Sequence, residues 1–232
     1  MTATVISLVA FKGGVAKTSS TAMISYNLAK RNYKVIMVDL DPQANLTAIS
    51  LRTKLAQLGE NANTVIDSSL MKAVQDDDLS EAQINIMPNL DLIGSSMDFS
   101  LYPEYMLNRS QSMKEQVKYL DELLKPIIKD YDFCIIDTPP TLSLYLSSAL
   151  YASDFALCLL KTDPFSIEGL EHLLKYIQEL FIPITNEKGD TTYPGIDNII
   201  NNNELKSDAY KYLGDFIWTY KHIKLKNYTT TE

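Results

Sequence analysis

Short apolar runs alternate with helical stripes over the first 180 residues. Thr4-Val5-Ile6-Ser7-Leu8-Val9 is a β-branched strand pattern, and Met23, Leu28 and Ala29 recur on one face of the helical segment after it. Lys34-Val35-Ile36-Met37-Val38-Asp39 is a continuous apolar run closing on an acid, as expected of a parallel strand buried on both faces. Asp41-Pro42 breaks it, and Gln43-Ala44-Asn45-Leu46-Thr47 leads into a second helix. A short helix is expected around residues 65–74, then an acidic turn at Asp76-Asp77-Asp78, and Leu90-Asp91-Leu92-Ile93-Gly94 reads as a third strand. Residues 114–129 place Val117, Leu120, Leu124, Ile127 and Ile128 at helical spacing, with Pro126 expected to end or bend that helix. Tyr131-Asp132-Phe133-Cys134-Ile135-Ile136-Asp137 is the next buried strand, again ending in an acid, and Ala156-Leu157-Cys158-Leu159-Leu160 is a fifth. Residues 167–180 form a helical pattern with Leu170, Leu173, Leu174 and Ile177 inward.

Strands that alternate with helices predict an α/β fold with a doubly wound, mostly parallel sheet flanked by helices. Beyond Phe181 the pattern loosens: residues 189–203 are polar and turn-rich around Ile199-Ile200, and residues 216–218 suggest a last strand. No internal repeat, low-complexity tract or linker interrupts the chain, so one domain over residues 1–232 is expected, with the part from about residue 181 atypical and short.

Composition narrows the class. At 232 residues, 46% hydrophobic and 22% charged, the chain can bury a substantial core. Its apolar runs are too short to span a bilayer, and the first residues lack a signal-peptide pattern, so a cytoplasmic protein is expected. Cys134 and Cys158 sit in strand-like runs without a C-x-x-C partner, which favours reduced buried thiols over a disulfide or zinc site. A net charge of −8 opposes constitutive nucleic-acid binding, although a local basic face is compatible with it.

The candidate chemistry begins where the first strand ends. Ala10-Phe11-Lys12-Gly13-Gly14-Val15-Ala16-Lys17-Thr18-Ser19 turns through two glycines into a helix that starts on Lys-Thr. Helix N-terminal N–H groups carry unpaired donors and partial positive charge, so a loop here cradles polyphosphate. Lys17 would reach the β/γ-phosphates and the Thr18 hydroxyl would ligate Mg²⁺. The generic pattern G-x-x-x-x-G-K-[ST] fits imperfectly, since Phe11 and Ala16 occupy its two glycine slots. The match is to a deviant loop, K-G-G-x-x-K-[ST], with Lys12 before the glycine pair. The bland alternative is a Gly-Gly turn that carries lysines by chance.

Three acids weigh against that alternative. Asp137 ends an apolar strand and precedes Thr138-Pro139-Pro140, the Walker B position, where a carboxylate contacts Mg²⁺ directly or through water. Asp39 and Asp41 flank Leu40 at the end of the second strand, and side chains two apart on a strand share a face, so both are expected to look into the phosphate crevice. A lone strand-end Asp is more often a loop cap. Three at successive strand ends beside a lysine-glycine loop are not.

Taken in order, Lys12-Gly13-Gly14-Val15-Ala16-Lys17-Thr18, Val38-Asp39-Leu40-Asp41-Pro42-Gln43-Ala44-Asn45 and Ile135-Ile136-Asp137-Thr138-Pro139-Pro140 resemble the ParA family of DNA-partition ATPases. That family lies in the wider deviant-Walker group with MinD and the nitrogenase iron protein. Ser166-Ile167-Glu168-Gly169-Leu170 resembles its E-G-L segment, and the likeness covers roughly residues 3–180. The resemblance implies that Lys12, Gly13, Gly14, Val15, Ala16, Lys17, Thr18 and Ser19 hold ATP, and that Thr18, Asp39 and Asp137 serve Mg²⁺. It also implies that Lys12 reaches the partner's nucleotide across a homodimer formed on ATP binding, and that Asp41 orients the attacking water in a slow hydrolysis. A dimer that coats DNA nonspecifically and answers to a centromere-binding adaptor protein is the function it implies.

Ala16, in place of the usual glycine, is expected to tolerate a helical conformation. The family's further strand–helix–strand–helix has only a degraded counterpart around residues 195–203, which leaves the base pocket and DNA face poorly defined. With so short a stretch before the loop, the resemblance leads to the expectation of the short, non-autoregulatory type without a helix-turn-helix extension. Lys206, Lys211, Lys221, Lys224 and Lys226 are the candidates for DNA contact, offset by Glu204, Asp208, Asp215 and Glu232. A MinD-like membrane positioner is the alternative, but residues 216–226 lack a clean amphipathic stripe. An iron-protein type would need cluster-ligating cysteines at the dimer face, and a tyrosine kinase of the superfamily would need a C-terminal tyrosine cluster; neither is evident.

Overall fold

The computed structural model describes residues 3–10, 14–58 and 69–159, with residues 169, 172, 176, 184–185 and 191–192 beyond them. Six strands form one sheet: β1 (Thr4–Val9), β2 (Val35–Asp39), β3 (Gln83–Met87), β4 (Leu90–Ile93), β5 (Phe133–Asp137) and β6 (Phe155–Cys158). Their order is β3-β4-β2-β5-β1-β6, parallel throughout except for β3, which pairs antiparallel with β4. The helices are α1 (Lys17–Lys30), α2 (Asn45–Leu58), α3 (Leu70–Gln75), α4 (Tyr102–Arg109), α5 (Met113–Leu124) and α6 (Leu144–Ala152).

Strand alternation sorts the core into two layers. Val35 and Met37 of β2 and Phe133 and Ile135 of β5 face Leu28 and Ala29 of α1 and Leu46 of α2. The residues between them, Ile36, Val38, Cys134 and Ile136, face the opposite layer, where α3, α4, α5 and α6 supply Leu70, Met106, Leu120 and Ala149. Both faces are covered, so the central strands read as unbroken apolar runs. Burying Leu120 in α5 stabilises the fold by about 2 kcal/mol. Ser112 caps α5, accepting from the Glu115 N–H, and the helix ends at Leu124, two residues before Pro126.

The expected α/β architecture stands, with corrections in detail. Met23 is 60% exposed; the inward stripe of α1 is Lys17, Thr21, Ser25 and Leu28, spaced i, i+4, i+8, i+11, while Met23 lies on the opposite side. The helix expected around residues 65–74 runs from Leu70 to Gln75 in the described part, and residues 59–68 lie outside it. The helix expected over residues 114–129 gives way after Leu124 to a separate three-residue turn, Ile128–Asp130. Asp77 turns the acidic corner with φ 58°. β3, α4 and α6 have no counterpart in the sequence reading. The helix over residues 167–180 falls mostly outside the described residues, although Gly169, His172 and Tyr176 are helical. A two-residue ladder joins Ile184–Thr185 to Thr191–Thr192, and the suggested strand at 216–218 lies outside the described residues.

Cys134 is fully buried in β5 and Cys158 half-buried; both are free thiols. Burial pushes them up to about 12 and about 11, with the charge of Asp154 adding at Cys134. Among the described residues, no helix is long and apolar enough to cross a membrane.

Candidate functional site

β5 is inserted between β1 and β2, and that insertion assembles the site. The register pairs Leu8 with Asp137 on one side and Asp39 with Asp137 on the other. The carboxyl ends of three parallel strands therefore lie side by side, the place where ligands sit on open α/β sheets. Two further bonds tie the ends together: the Leu40 N–H donates to the Asp137 carbonyl (2.9 Å) and the Thr138 hydroxyl to the Leu8 carbonyl (2.9 Å).

On the loop side, Gly14 sits at φ 75° and Ala16 at φ 60°, ψ 26°. Ala16 is the N-cap of α1, and no side chain caps this helix. Its first-turn N–H groups thus keep the donor capacity that an anion needs. The expectation that Ala16 adopts a helical conformation is corrected: it is left-handed, a conformation that crowds Cβ against the next carbonyl and costs about 1–2 kcal/mol. That explains why glycine belongs in this slot. Gly14, Ala16 and Ser19 are exposed, Val15 and Thr18 half-buried, and Lys17 buried.

Lys17 and Thr18 converge on one carboxylate. Lys17 Nζ donates to Asp137 Oδ1 at 2.6 Å and Thr18 Oγ1 to Oδ2 at 2.7 Å. Thr21, one turn along α1, adds its hydroxyl to Oδ1 at 3.3 Å while donating to the Lys17 carbonyl at 3.1 Å. Asp137 is 0% and Lys17 7% exposed, so this ion pair sits in a low-dielectric setting where losing one partner strands the other's charge.

Asp39 and Asp41 are not neighbours on one strand. The ladder ends at Asp39, and Asp41 belongs to the turn beyond it. Asp39 is fully buried and faces inward: Oδ1 accepts the Asp41 N–H at 3.1 Å, and Oδ2 accepts the Thr47 N–H (2.9 Å) and hydroxyl (2.8 Å). Burial pushes its carboxyl up to about 6, aided by the charge of Asp137 and opposed by those hydrogen bonds. Asp41 is 9% exposed and Oδ1 accepts the Gln43 N–H at 2.9 Å.

The sequence alone assigns Thr21, Thr47 and Thr138 no role in the site. Thr21 follows Lys17 by one helical turn, a spacing that could have singled it out. Nothing in the sequence reveals the partners of Thr47 and Thr138, which lie 8 and 130 positions away. Lys12 and Gly13 lie outside the described residues, as do Phe11 and the lysines proposed for DNA contact.

The donors here are carboxylate, hydroxyl and backbone groups, a hard oxygen set of the kind Mg²⁺ takes. Among the described residues no three His, Cys, Asp or Glu side chains gather as a metal cage.

Comparison with known proteins agrees with this layout. A family model described as an AAA domain matches residues 3–188. A Methanocaldococcus jannaschii protein, MJECL24, is 33% identical over 177 residues, covering 76% of this chain and 66% of that protein. The Chlamydia psittaci virulence plasmid ParA family protein pGP5-D is 34% identical over 169 residues, covering 72% and 60%. The crystal structure of a putative plasmid partition protein from Borrelia burgdorferi B31 bound to AMPPNP superposes with a TM-score of 0.64 at 27% identity, covering 78% of this chain and 72% of that one. The chain thus spans about two thirds or less of the length of the two curated relatives.

Proposed function

The chain belongs to the ParA family of P-loop ATPases, and from that membership we propose that it binds Mg·ATP at the strand ends and hydrolyses it to ADP and phosphate as part of DNA partition. The observation that carries the reading is the meeting of Lys17 and Thr18 on Asp137, which places an ammonium, a hydroxyl and a Walker B carboxylate within one hydrogen-bond shell. That the Borrelia neighbour is bound to AMPPNP supports a nucleotide ligand for this chain.

The roles follow from the residues. N–H groups of residues 14–19 at the α1 terminus hold the phosphates, and Lys17 neutralises charge on them. Mg²⁺ would be held by Thr18, with Asp137 and Asp39 in its surroundings, and when bound it supplies charge stabilisation to the transferring phosphoryl group. Asp41 orients a water whose oxygen bonds to the γ-phosphorus as the bond to the β–γ bridging oxygen breaks; the water's proton leaves on phosphate. A carboxylate is a weak base, so turnover is slow and works as a timer.

Lys12 is assigned to the partner's nucleotide in an ATP-bound homodimer. The dimer binds DNA nonspecifically and a centromere-binding adaptor stimulates hydrolysis. Size-exclusion chromatography with light scattering tests this on wild type and Asp41→Ala: ATP should produce a dimer that persists in the variant and collapses with ADP. A monomer under saturating Mg·ATP would refute it. An ATP-dependent, salt-sensitive DNA shift is expected, and its absence at low salt with ATP removes the DNA role.

A further inference from the structure

Asp39 stands between Asp41 and a residue so far given no role. Thr47 is 4% exposed on the first turn of α2, with its backbone N–H and its hydroxyl both donating to Asp39 Oδ2. The same hydroxyl oxygen accepts the Ser95 N–H at 2.9 Å, at the end of β4. One side chain therefore joins the ends of β2 and β4 to the start of α2. The seat is tight: a Cβ on Gly94 would stand 3.0 Å from Thr47 Cγ2 and 3.3 Å from Thr47 Oγ1. Asp39 in turn grips the Asp41 N–H, and Asp41 closes its own turn on Gln43. Read outward, the order of support is Ser95 and Gly94, Thr47, Asp39, Asp41.

We propose that Thr47 is a positioning residue for Asp41, holding Asp39 so that the turn carrying the hydrolytic carboxylate has one geometry. The inference rests on the hydrolytic reading of Asp41 above. A catalytic group placed on a turn gains its precision from the side chains that fix the turn, and small misplacements cost rate steeply. Asp39 alone cannot supply this, because its carboxylate is free to rotate about χ2 unless both oxygens are engaged. Thr47 engages Oδ2 twice, which leaves Oδ1 directed at Asp41.

Three variants test the proposal in the full chain. Thr47→Val keeps the shape and removes the hydroxyl; Thr47→Ser keeps the hydroxyl; Gly94→Ala presses on Thr47 from the residue that follows β4. Thr47→Val should lower kcat for ATP about tenfold or more with KM changed less than about threefold, and Thr47→Ser should return kcat to within about threefold of wild type. Gly94→Ala should follow Thr47→Val. Amide exchange at Asp41, followed by NMR without nucleotide, should quicken at least about tenfold in Thr47→Val and recover in Thr47→Ser. An unchanged kcat in Thr47→Val overturns the proposal. So does a parallel loss of kcat and nucleotide affinity that Thr47→Ser fails to rescue, which marks a purely structural residue. If wild type hydrolyses no ATP, the hydrolytic reading fails by itself, and unaltered Asp41 exchange in Thr47→Val is then the result that removes the positioning role.

Discussion

Asp39 makes a stability prediction whose sign differs from that of most carboxylates. Its folded pKa stands at about 6 against an ordinary 3.8, because burial penalises the charged form more than the Thr47 and Asp41 hydrogen bonds favour it. Between those two values the folded chain holds a proton that the unfolded chain has released. Stability from this group is therefore fully present below the ordinary value and is lost as pH rises through about 6. At about 1.4 kcal/mol per pH unit the loss comes to about 3 kcal/mol. Asp77 and Asp78 work in the opposite sense, since hydrogen bonds lower both, to Asp77 chiefly from Tyr119 and to Asp78 from Ser80. Both are surface groups, so comparison with Asp39→Asn cancels them. The assay is urea unfolding of nucleotide- and Mg²⁺-free protein at intervals from pH 4 to pH 7, on wild type and Asp39→Asn. The wild-type advantage over the variant should shrink by about 2 kcal/mol across that range, the rest of the loss lying below pH 4, because the amide of the variant does not titrate. An advantage that stays level or grows with pH refutes the burial argument.

Other outcomes follow from the same geometry. Ala16→Gly relieves the left-handed N-cap and should raise stability by about 1 kcal/mol, a shift of roughly 2–4 °C in Tm, whereas Ala16→Val should lower Tm and weaken nucleotide binding, as read by calorimetry. Lys17→Met strands the buried Asp137 carboxylate; it should destabilise the chain by about 3–5 kcal/mol in urea and abolish binding of a fluorescent ATP analogue. In native protein a thiol reagent should label half-buried Cys158 well before Cys134, which should react only on unfolding.

The parts legible in sequence are those where burial writes a clean period. β1, β2 and β5 are covered on both faces and appear as apolar runs, and α5 shows its stripe because its outer face is polar. α6 escaped because Leu144–Ala152 is buried nearly all round, so no polar face marks its period. β3 escaped because Gln83, Asn85 and Met87 alternate with only two isoleucines, and its pairing depends on a bulge and on Asn89 at φ 66° rather than on a glycine turn. α1 misled because its inner face is Thr21 and Ser25 under Asp137 and the sheet, with Met23 outside.

The site divides along the same line. Motif spacing led directly to Lys17, Thr18 and Asp137, since each side chain takes its role from its place at a strand or helix end. Asp39 and Asp41 were legible as residues but not in geometry: the sequence does not reveal that β2 stops at Asp39, nor that Thr47 turns that carboxylate inward. Ala16 was legible as a departure from pattern, while its left-handed φ required the fold.

The most direct test of the central claim measures ATP binding and phosphate release together, in Mg²⁺, on wild type, Asp41→Ala and Lys17→Ala. The predicted result is slow release by wild type, binding within about threefold of wild type but release at least about tenfold slower in Asp41→Ala, and neither in Lys17→Ala. Wild-type protein that binds no ATP at millimolar nucleotide, or Lys17→Ala that binds it as tightly as wild type, would contradict the account.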